Sequence, residues 1–384
     1  MSAPAFRISA YGKDRLFRCQ IGNPVALEAT IRHNLVSTLR MSVALDHKAV
    51  TELMADGARL RVTFKGEHLI SGPVTAEEIE SNGVSGLYTV TVEDDFRVLR
   101  EILGWPVPDA AIGSQSAREY YTYLGNAEYC LKTAVTHNGV NRLAIPGLTV
   151  ATNLNRGATI PGGVPVRMHP LMDQFFPAVE DAGLGVTVRQ TGASLVLDVY
   201  EPQTFPRTLS VKGRTLKQVT MTRARPTASR VVVGGPGEGT ARTFRQVVGT
   251  ARETQYGMRA ETFQDARDAK DDAETGAVAT VTMDARAQET LTEQGPKNGV
   301  SITLAGSGIF QYGPGGFHVG DRVPVRVVDG IVITQVVREC TLKWVSAGYA
   351  STEPAIGELT NQPERITAQR IAALARRQRN QESR

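Results

Sequence analysis

RVVVGGPGEG, residues 230–239, is the stretch on which the reading of this chain turns. A β-branched run, Val231, Val232 and Val233, leads into the glycines 234, 235, 237 and 239, which invites comparison with phosphate-binding loops. The comparison fails on its parts. A P-loop sets a lysine and a hydroxyl residue directly after its last glycine, but Thr240 and Ala241 follow Gly239. A dinucleotide loop built on Gly235 and Gly237 needs a glycine or alanine at 240 and a helix behind it, whereas residues 240–248 read as extended. Glycine also supplies positive φ at little cost, so Gly234 to Gly239 reads as a hairpin turn joining two strands.

Working outward, the same strand signal recurs along the chain. Residues 58–65 alternate, with Leu60, Val62 and Phe64 on one face and Arg61, Thr63 and Lys65 on the other, as a half-buried strand requires. Tyr88, Val90 and Val92 repeat the pattern, as do Leu195, Leu197 and Val199, and Val323, Val325 and Val327. Short helices interrupt it. Asp46 is a candidate cap for one carrying Val50, Leu53 and Met54, and Asp95 for one carrying Val98, Leu99 and Ile102. The middle is more helical: residues 126–137 and 170–182 read as amphipathic helices, the second with Leu171, Met172, Phe175, Phe176 and Val179 on one side and Gly183 as its stop. Residues 265–294 fit one helix or two helical pieces, and past Gly348 the pattern dissolves into a basic tail, helical at least in part.

The expected class is therefore mainly β with an α+β insertion. The expected map is a β-rich region over 1–105, an α/β segment over 106–205, a second β-rich region over 206–348 able to interleave with the first, and a tail over 349–384. Its length of 384 residues is enough for about two or three domains. Against 39 acidic residues stand 43 lysines and arginines, a net charge of +4 that gives no sign of sequence-specific nucleic-acid binding. Six arginines between 365 and 384 suit an acidic neighbour or nucleic acid, or else a solvated helix. No run reaches the roughly 20 apolar residues of a membrane helix, and residues 1–12 lack the apolar core of a signal peptide, so the expectation is a cytoplasmic chain without a membrane span.

Tests for chemistry point the same way. Cys19, Cys130 and Cys340 are too far apart for a zinc knuckle and read as buried thiols. Cys130 and His137 share a helix but lie seven residues apart, about 10 Å along its axis, too far for a nucleophile and its base. His33, His47, His68, His137, His169 and His318 form no close ligand pair, so surface or capping roles are expected. Around Ser85 and Ser307 the spacing of a hydrolase elbow is missing. Asp265, Asp268, Asp271 and Asp272 lack a calcium loop's spacing and read as helix-start charges. No catalytic, cofactor-binding or metal-binding residue is assigned, and no cofactor is expected.

A set of motifs in order carries a resemblance. It runs Arg225-Pro226-Thr227-Ala228, then the glycine stretch with Arg242, then Tyr256-Gly257-Met258-Arg259, Phe263-Gln264-Asp265-Ala266-Arg267-Asp268, and Phe310 with Gly320-Asp321-Arg322-Val323. Together these resemble the minor tail proteins, or tail-tip baseplate hubs, of long-tailed actinobacterial phages (siphoviruses), best over 208–345. Residues 71–74, Ser-Gly-Pro-Val, and the start of the middle region agree more loosely, and Met258 departs from the pattern.

The resemblance implies a structural protein rather than an enzyme: two barrel-like tail-hub domains, an inserted α/β domain and a C-terminal helical tail, assembled in the host cytoplasm into the virion tail tip. It implies a homotrimer forming a ring that lines the DNA-ejection channel. The implied partners are a distal tail protein ring, a tape measure protein and downstream tail-tip, fibre or spike proteins. The glycine turn becomes a hairpin tip of the second barrel and a candidate subunit contact. Two alternatives stay open: a tail-associated peptidoglycan-cleaving enzyme seated in the middle region, and a receptor- or carbohydrate-binding tip protein using Tyr120, Tyr121 and Tyr123.

Overall fold

In a computed structural model of the chain, residues 6–160, 162–269, 279–304, 310–346 and 350–356 are described. Among them the chain forms two compact units. The first takes in residues up to Ala158, then Pro165–Thr220 and the segment from Val300; the second takes in Thr159–Val164 and Met221–Gly299. Regions 1–105 and 106–205 thus fall almost wholly in one unit, and region 206–348 contributes to both.

The first unit is organised by an 11-stranded sheet. Its N-terminal members are β1 (Phe6–Tyr11), β2 (Phe17–Ile21), β3 (Ala26–Arg32), β4 (Thr38–Ala44), β5 (Arg59–Phe64), β6 (Glu67–Ser81) and β7 (Gly86–Glu93). The spatial order from one end is β2, β1, β5, β6, β7, β4, β3, then Ile331–Val345, Arg322–Val328 and Leu209–Ser210, with Ala350–Ile356 also paired to Ile331–Val345. Alternation in sequence becomes alternation in burial: Leu60, Val62 and Phe64 are buried, as are Tyr88, Val90 and Val92. Strand β6 changes partners midway, pairing with β5 through Pro73 and with β7 from Val74, with a register shift between Val74 and Ala76. A Cβ on Gly72 would lie 1.8 Å from the Glu93 carbonyl oxygen, so only glycine lets β6 turn this corner.

Two N-terminal helical turns form without the expected caps. Before α1 (Val50–Leu53), the Ala49 N–H donates to His47 Nδ1 at 3.1 Å rather than to Asp46. Asp95 lies inside a 3-10 turn, Asp95–Arg97, that runs into α2 (Val98–Glu101), and its carboxylate is spent elsewhere. The middle helices follow the sequence reading. In α3 (Ala127–Val135) the Asn126 side chain caps by accepting from the Tyr129 N–H, and a π-helical turn, Thr136–Arg142, continues it. Helix α4 (Leu171–Asp181) buries Leu171, Phe175, Phe176 and Val179 and stops at Gly183, whose φ is +67°.

The second unit holds a three-stranded sheet, Phe244–Val248, Arg230–Gly234 and Glu261–Asp265 in that order. The first pair is antiparallel and the second parallel, the parallel link passing through α5 (Thr250–Tyr256). Helix α6 (Ala279–Glu293) gives Met283, Ala287 and Leu291 to a core with Val231, Val233, Ala266 and Ala269. Of the helical stretch expected over 265–294, residue 265 ends a strand and helix is present from 279; residues 270–278 lie outside the described residues. Ala350–Ile356, which the sequence places in the tail, is a strand paired with Ile331–Val345, and the tail from 357 onward lies outside the described residues.

Candidate functional site

The glycine stretch is a hairpin connection. Gly234 stands opposite Phe244, the Gly235 N–H donates to the Thr243 carbonyl at 2.8 Å, and the Thr243 N–H returns to the Pro236 carbonyl at 3.0 Å. The four glycines serve two purposes. Gly237 and Gly239 have positive φ, +98° and +54°. Gly234 and Gly235 make room instead: a Cβ there would lie 2.4 Å from Arg242 Nη2 and 2.5 Å from Met283 Sδ.

The loop's polarity is opposite to that of a phosphate cradle, which converges N–H donors on an anion. Here the Gly234 and Gly235 carbonyls accept from Arg242 at 3.1 and 3.3 Å, and Arg242 also holds Asp265 at 2.6 Å. Its guanidinium lies 5.6 Å from the Phe244 ring and 5.5 Å from the Phe263 ring, within cation-π range.

A second cluster has the residue types of a hydrolase centre in a different wiring. Ser71 Oγ donates to Asp95 Oδ2 at 2.7 Å, His68 Nε2 lies 3.2 Å from Ser71 Oγ, and Ser71 Oγ accepts the Gln190 N–H at 3.1 Å. Arg59 pairs with the other oxygen of Asp95 and donates to Gln190 Oε1 at 3.2 Å. In a working triad the histidine stands between hydroxyl and carboxylate. Here serine holds the carboxylate directly and is itself 0 % exposed, and burial together with Arg189 and Arg61 lowers the His68 pKa to about 3. The cluster pins β5, β6 and Gly185–Thr191 together.

A third cluster ties the middle segment. Lys132 donates to Glu128 at 2.7 Å, to Asp198 at 2.9 Å and to the Thr152 carbonyl at 2.8 Å. Burial raises the Glu128 pKa, but the Lys132 ammonium and the N–H groups of Arg156 and Leu154 outweigh it and hold the carboxyl below its usual range.

The other sequence candidates are scattered. Cys130 Sγ donates to the Tyr123 carbonyl at 3.3 Å, and burial pushes the thiol up to about 11. His137 packs on the Tyr121 and Tyr123 rings, each at 5.9 Å. Tyr123 is core, its hydroxyl accepting from Asn138 at 3.0 Å, while Tyr120 is exposed. His47 does cap, His33 is buried against Tyr200, and His318 meets Glu67 at 2.7 Å. Asp265 and Asp268 are not helix-start charges; they pair with Arg242 and Arg286, and Asp271 and Asp272 lie outside the described residues. Among the described residues no group of three or more His, Cys, Asp or Glu could hold a metal ion. A cleft lined by His33, Glu180, Arg322 and Arg338 holds about 40 Å³, room for a few waters at most. No helix among the described residues is long and apolar enough to cross a membrane.

Sequence reasoning missed the Arg59–Asp95 pair. Arg59 falls on the face of β5 that alternation assigns to solvent, and Gln190, distant in sequence, helps cover it.

This architecture is shared with phage tail proteins. The 43 kDa tail protein of prophage MuSo2 from Shewanella oneidensis superposes with a TM-score of 0.58 at 13% identity, over 92% of this chain and 98% of that one. Prophage tail protein gp18 from Listeria monocytogenes EGD-e gives 0.54 at 12%, over 96% and 99%. A tail protein from Neisseria meningitidis MC58 gives 0.51 at 11%, over 93% and 97%. At these identities the likeness is one of fold. The sequence itself matches the family described as Siphovirus ReqiPepy6 Gp37-like protein over residues 11–358, and the chain belongs to that family. A search of the curated proteins finds no match.

Proposed function

We propose that this tail protein is the hub of a siphovirus tail tip, a homotrimeric ring that joins the tail tube to distal tip or fibre components and lines the DNA-ejection channel. The observation that carries the reading is the 11-stranded sheet, in which Ile331–Val345 pairs with β3 and so knits both ends of the chain into one scaffold. The corner in β6 supports a barrel-like curvature, with a second barrel-like domain contributed from 206–348 and residues 106–205 as the inserted domain. A helical basic tail completes this reading, with a distal tail protein ring and a tape measure protein on one side and fibre or spike proteins on the other. The role is mechanical. The buried wiring of Ser71 and His68 and the cation-facing glycine loop favour it over wall cleavage.

Immunogold labelling of intact virions with an antibody to the chain tests the placement. Gold at the distal end of the tail is expected, and gold along the tube or none on the particle overturns it. Zymography on purified cell wall is expected to show no clearing; a cleared band abolished by a middle-segment acid-to-amide substitution overturns the mechanical reading.

A further inference from the structure

A cleft in the first unit gathers charged groups from distant parts of the chain, and their charges do not balance. His33 follows β3, Glu180 and Gly183 lie at and just past the end of α4, and Arg322 and Arg338 stand on two strands of the large sheet. Arg338 Nη1 donates to Glu180 Oε1 at 3.0 Å, while the Arg322 side chain donates to the Gly183 carbonyl at 3.3 Å and to no carboxylate among the described residues. Asp321, beside it in sequence, accepts the His318 N–H at 2.8 Å and does not line the cleft. Two guanidiniums therefore face one carboxylate.

His33 adds a ring nitrogen without a partner. The residue is 6% exposed, its Nδ1 lies 3.3 Å from the Tyr200 hydroxyl, and its Nε2 makes no hydrogen bond among the described residues. When the Tyr200 O–H donates to Nδ1, Nε2 carries the ring proton and becomes a further donor. Burial and Arg338 lower the His33 pKa to about 4, so at neutral pH the surplus charge belongs to arginine alone. Size then limits what can enter. About 40 Å³ is room for about three waters, which matches the three heavy atoms of a carboxylate group and falls short of the five of phosphate.

We propose that this cleft is a carboxylate socket, in which Arg322 and Arg338 hold a single carboxylate group carried by a small acid or by the end of a peptide. The planar fork of a guanidinium matches the flat carboxylate, and a charge-assisted hydrogen bond is stronger than a neutral one. Glu180 shares Arg338 with the ligand and repels it, so its charge works against binding. Whatever bears the carboxylate stays outside, because the cleft has room for the head group only. The assignment does not depend on the ring reading.

Saturation transfer from the full-length chain to the methyl group of acetate tests the socket, with ionic strength held constant by chloride. Arg322→Gln is expected to weaken acetate binding about tenfold and Glu180→Gln to tighten it roughly threefold. Lys48→Gln, which removes one charge outside the cleft, should leave it unchanged; all three residues are exposed, so the fold should tolerate each change. Formate should displace acetate, and phosphate should do so no better than chloride. An N-acetylated triglycine with a free carboxylate, set against its amide, separates the two sources. Displacement by the acid alone supports a chain end as the ligand, and displacement by neither peptide supports a small acid. Acetate binding that is absent or ignores Arg322→Gln, that weakens in Glu180→Gln, or that yields to the amide or to phosphate more than to formate overturns the proposal.

Discussion

The large sheet and the three-stranded sheet differ in how far apart in sequence their partners lie. In the first unit, Arg32 of β3 meets Glu339 at 2.7 Å across 307 positions. In the second, the sheet and the helix over it come from one continuous stretch, from Arg230 to Leu291. A sheet built on distant pairings depends on side chains that lock remote segments together, and one built locally depends on a single packed layer. Both tryptophans, Trp105 and Trp344, lie in the first unit, so their fluorescence reports that unit and circular dichroism reports both.

The largest expected effect breaks the lock of the distant sheet. Asp95 is 1% exposed and holds Arg59 and Ser71. Asp95→Ala leaves the buried guanidinium without its counter-charge, at a cost of about 3–5 kcal/mol. Denaturant titration followed by tryptophan emission should show that loss; a change under about 1 kcal/mol would show the cluster to be dispensable.

Next comes the local core. Leu291→Ala removes a buried side chain from the layer of Val231, Val233 and Met283 and should cost about 2–4 kcal/mol. The shift should appear in the dichroism of the second unit with tryptophan emission unmoved. Equal movement of both signals would make the two units one cooperative body.

The sequence revealed most where neighbours in the chain are neighbours in space. The turn at 234–239, the alternation of β5 and β7 and the apolar stripe of α4 are local patterns, and each appears where its period places it. Ala350–Ile356 was hidden because Ser351, Thr352, Glu353 and Pro354 carry no strand pattern of their own; Ile331–Val345 supplies it by pairing. Asp95 passed for a cap because its partners Arg59 and Ser71 come from other strands. The candidate site was legible as a turn, but the carbonyl-to-arginine polarity that argues against a phosphate cradle depended on the path of Arg242.

Acid should separate the units further. Residues 221–299 contain no histidine, while the first unit buries His33 and His68. Burial, with Arg338 nearby, lowers His33 to about 4, and burial with Arg189 and Arg61 lowers His68 to about 3. Both depressed bases bind fewer protons folded than unfolded, so stability falls as pH drops from about 6.5 towards 4. Asp94 works against them: burial, with Asp95 adding to it, raises its carboxyl to about 7, so it favours the fold more as pH falls from 7 to 4. Burial raises Asp95 and Asp321 as well, and these act in the same sense as Asp94, so the acid loss carried by His33 and His68 is offset in part in tryptophan-detected stability. His68→Gln should flatten that slope, and an unchanged slope would sink the assignment.

The smallest effect concerns the glycine turn, where two positions with positive φ are predicted to behave differently. An alanine Cβ at Gly237 meets the Ala241 carbonyl oxygen at 2.3 Å, whereas one at Gly239 meets nothing within 4 Å. Gly239→Ala therefore carries backbone strain alone, about 1 kcal/mol, while Gly237→Ala adds a backbone clash and should cost about 2 kcal/mol. Gly239→Asn should be milder still, since asparagine tolerates this conformation. Because the loop turns its carbonyls toward Arg242, inorganic phosphate should raise the melting temperature of the wild type and of Gly239→Ala no more than chloride of matched ionic strength does. A phosphate-specific rise lost in Arg242→Ala would instead make the arginine an anion ligand and reverse the polarity argument.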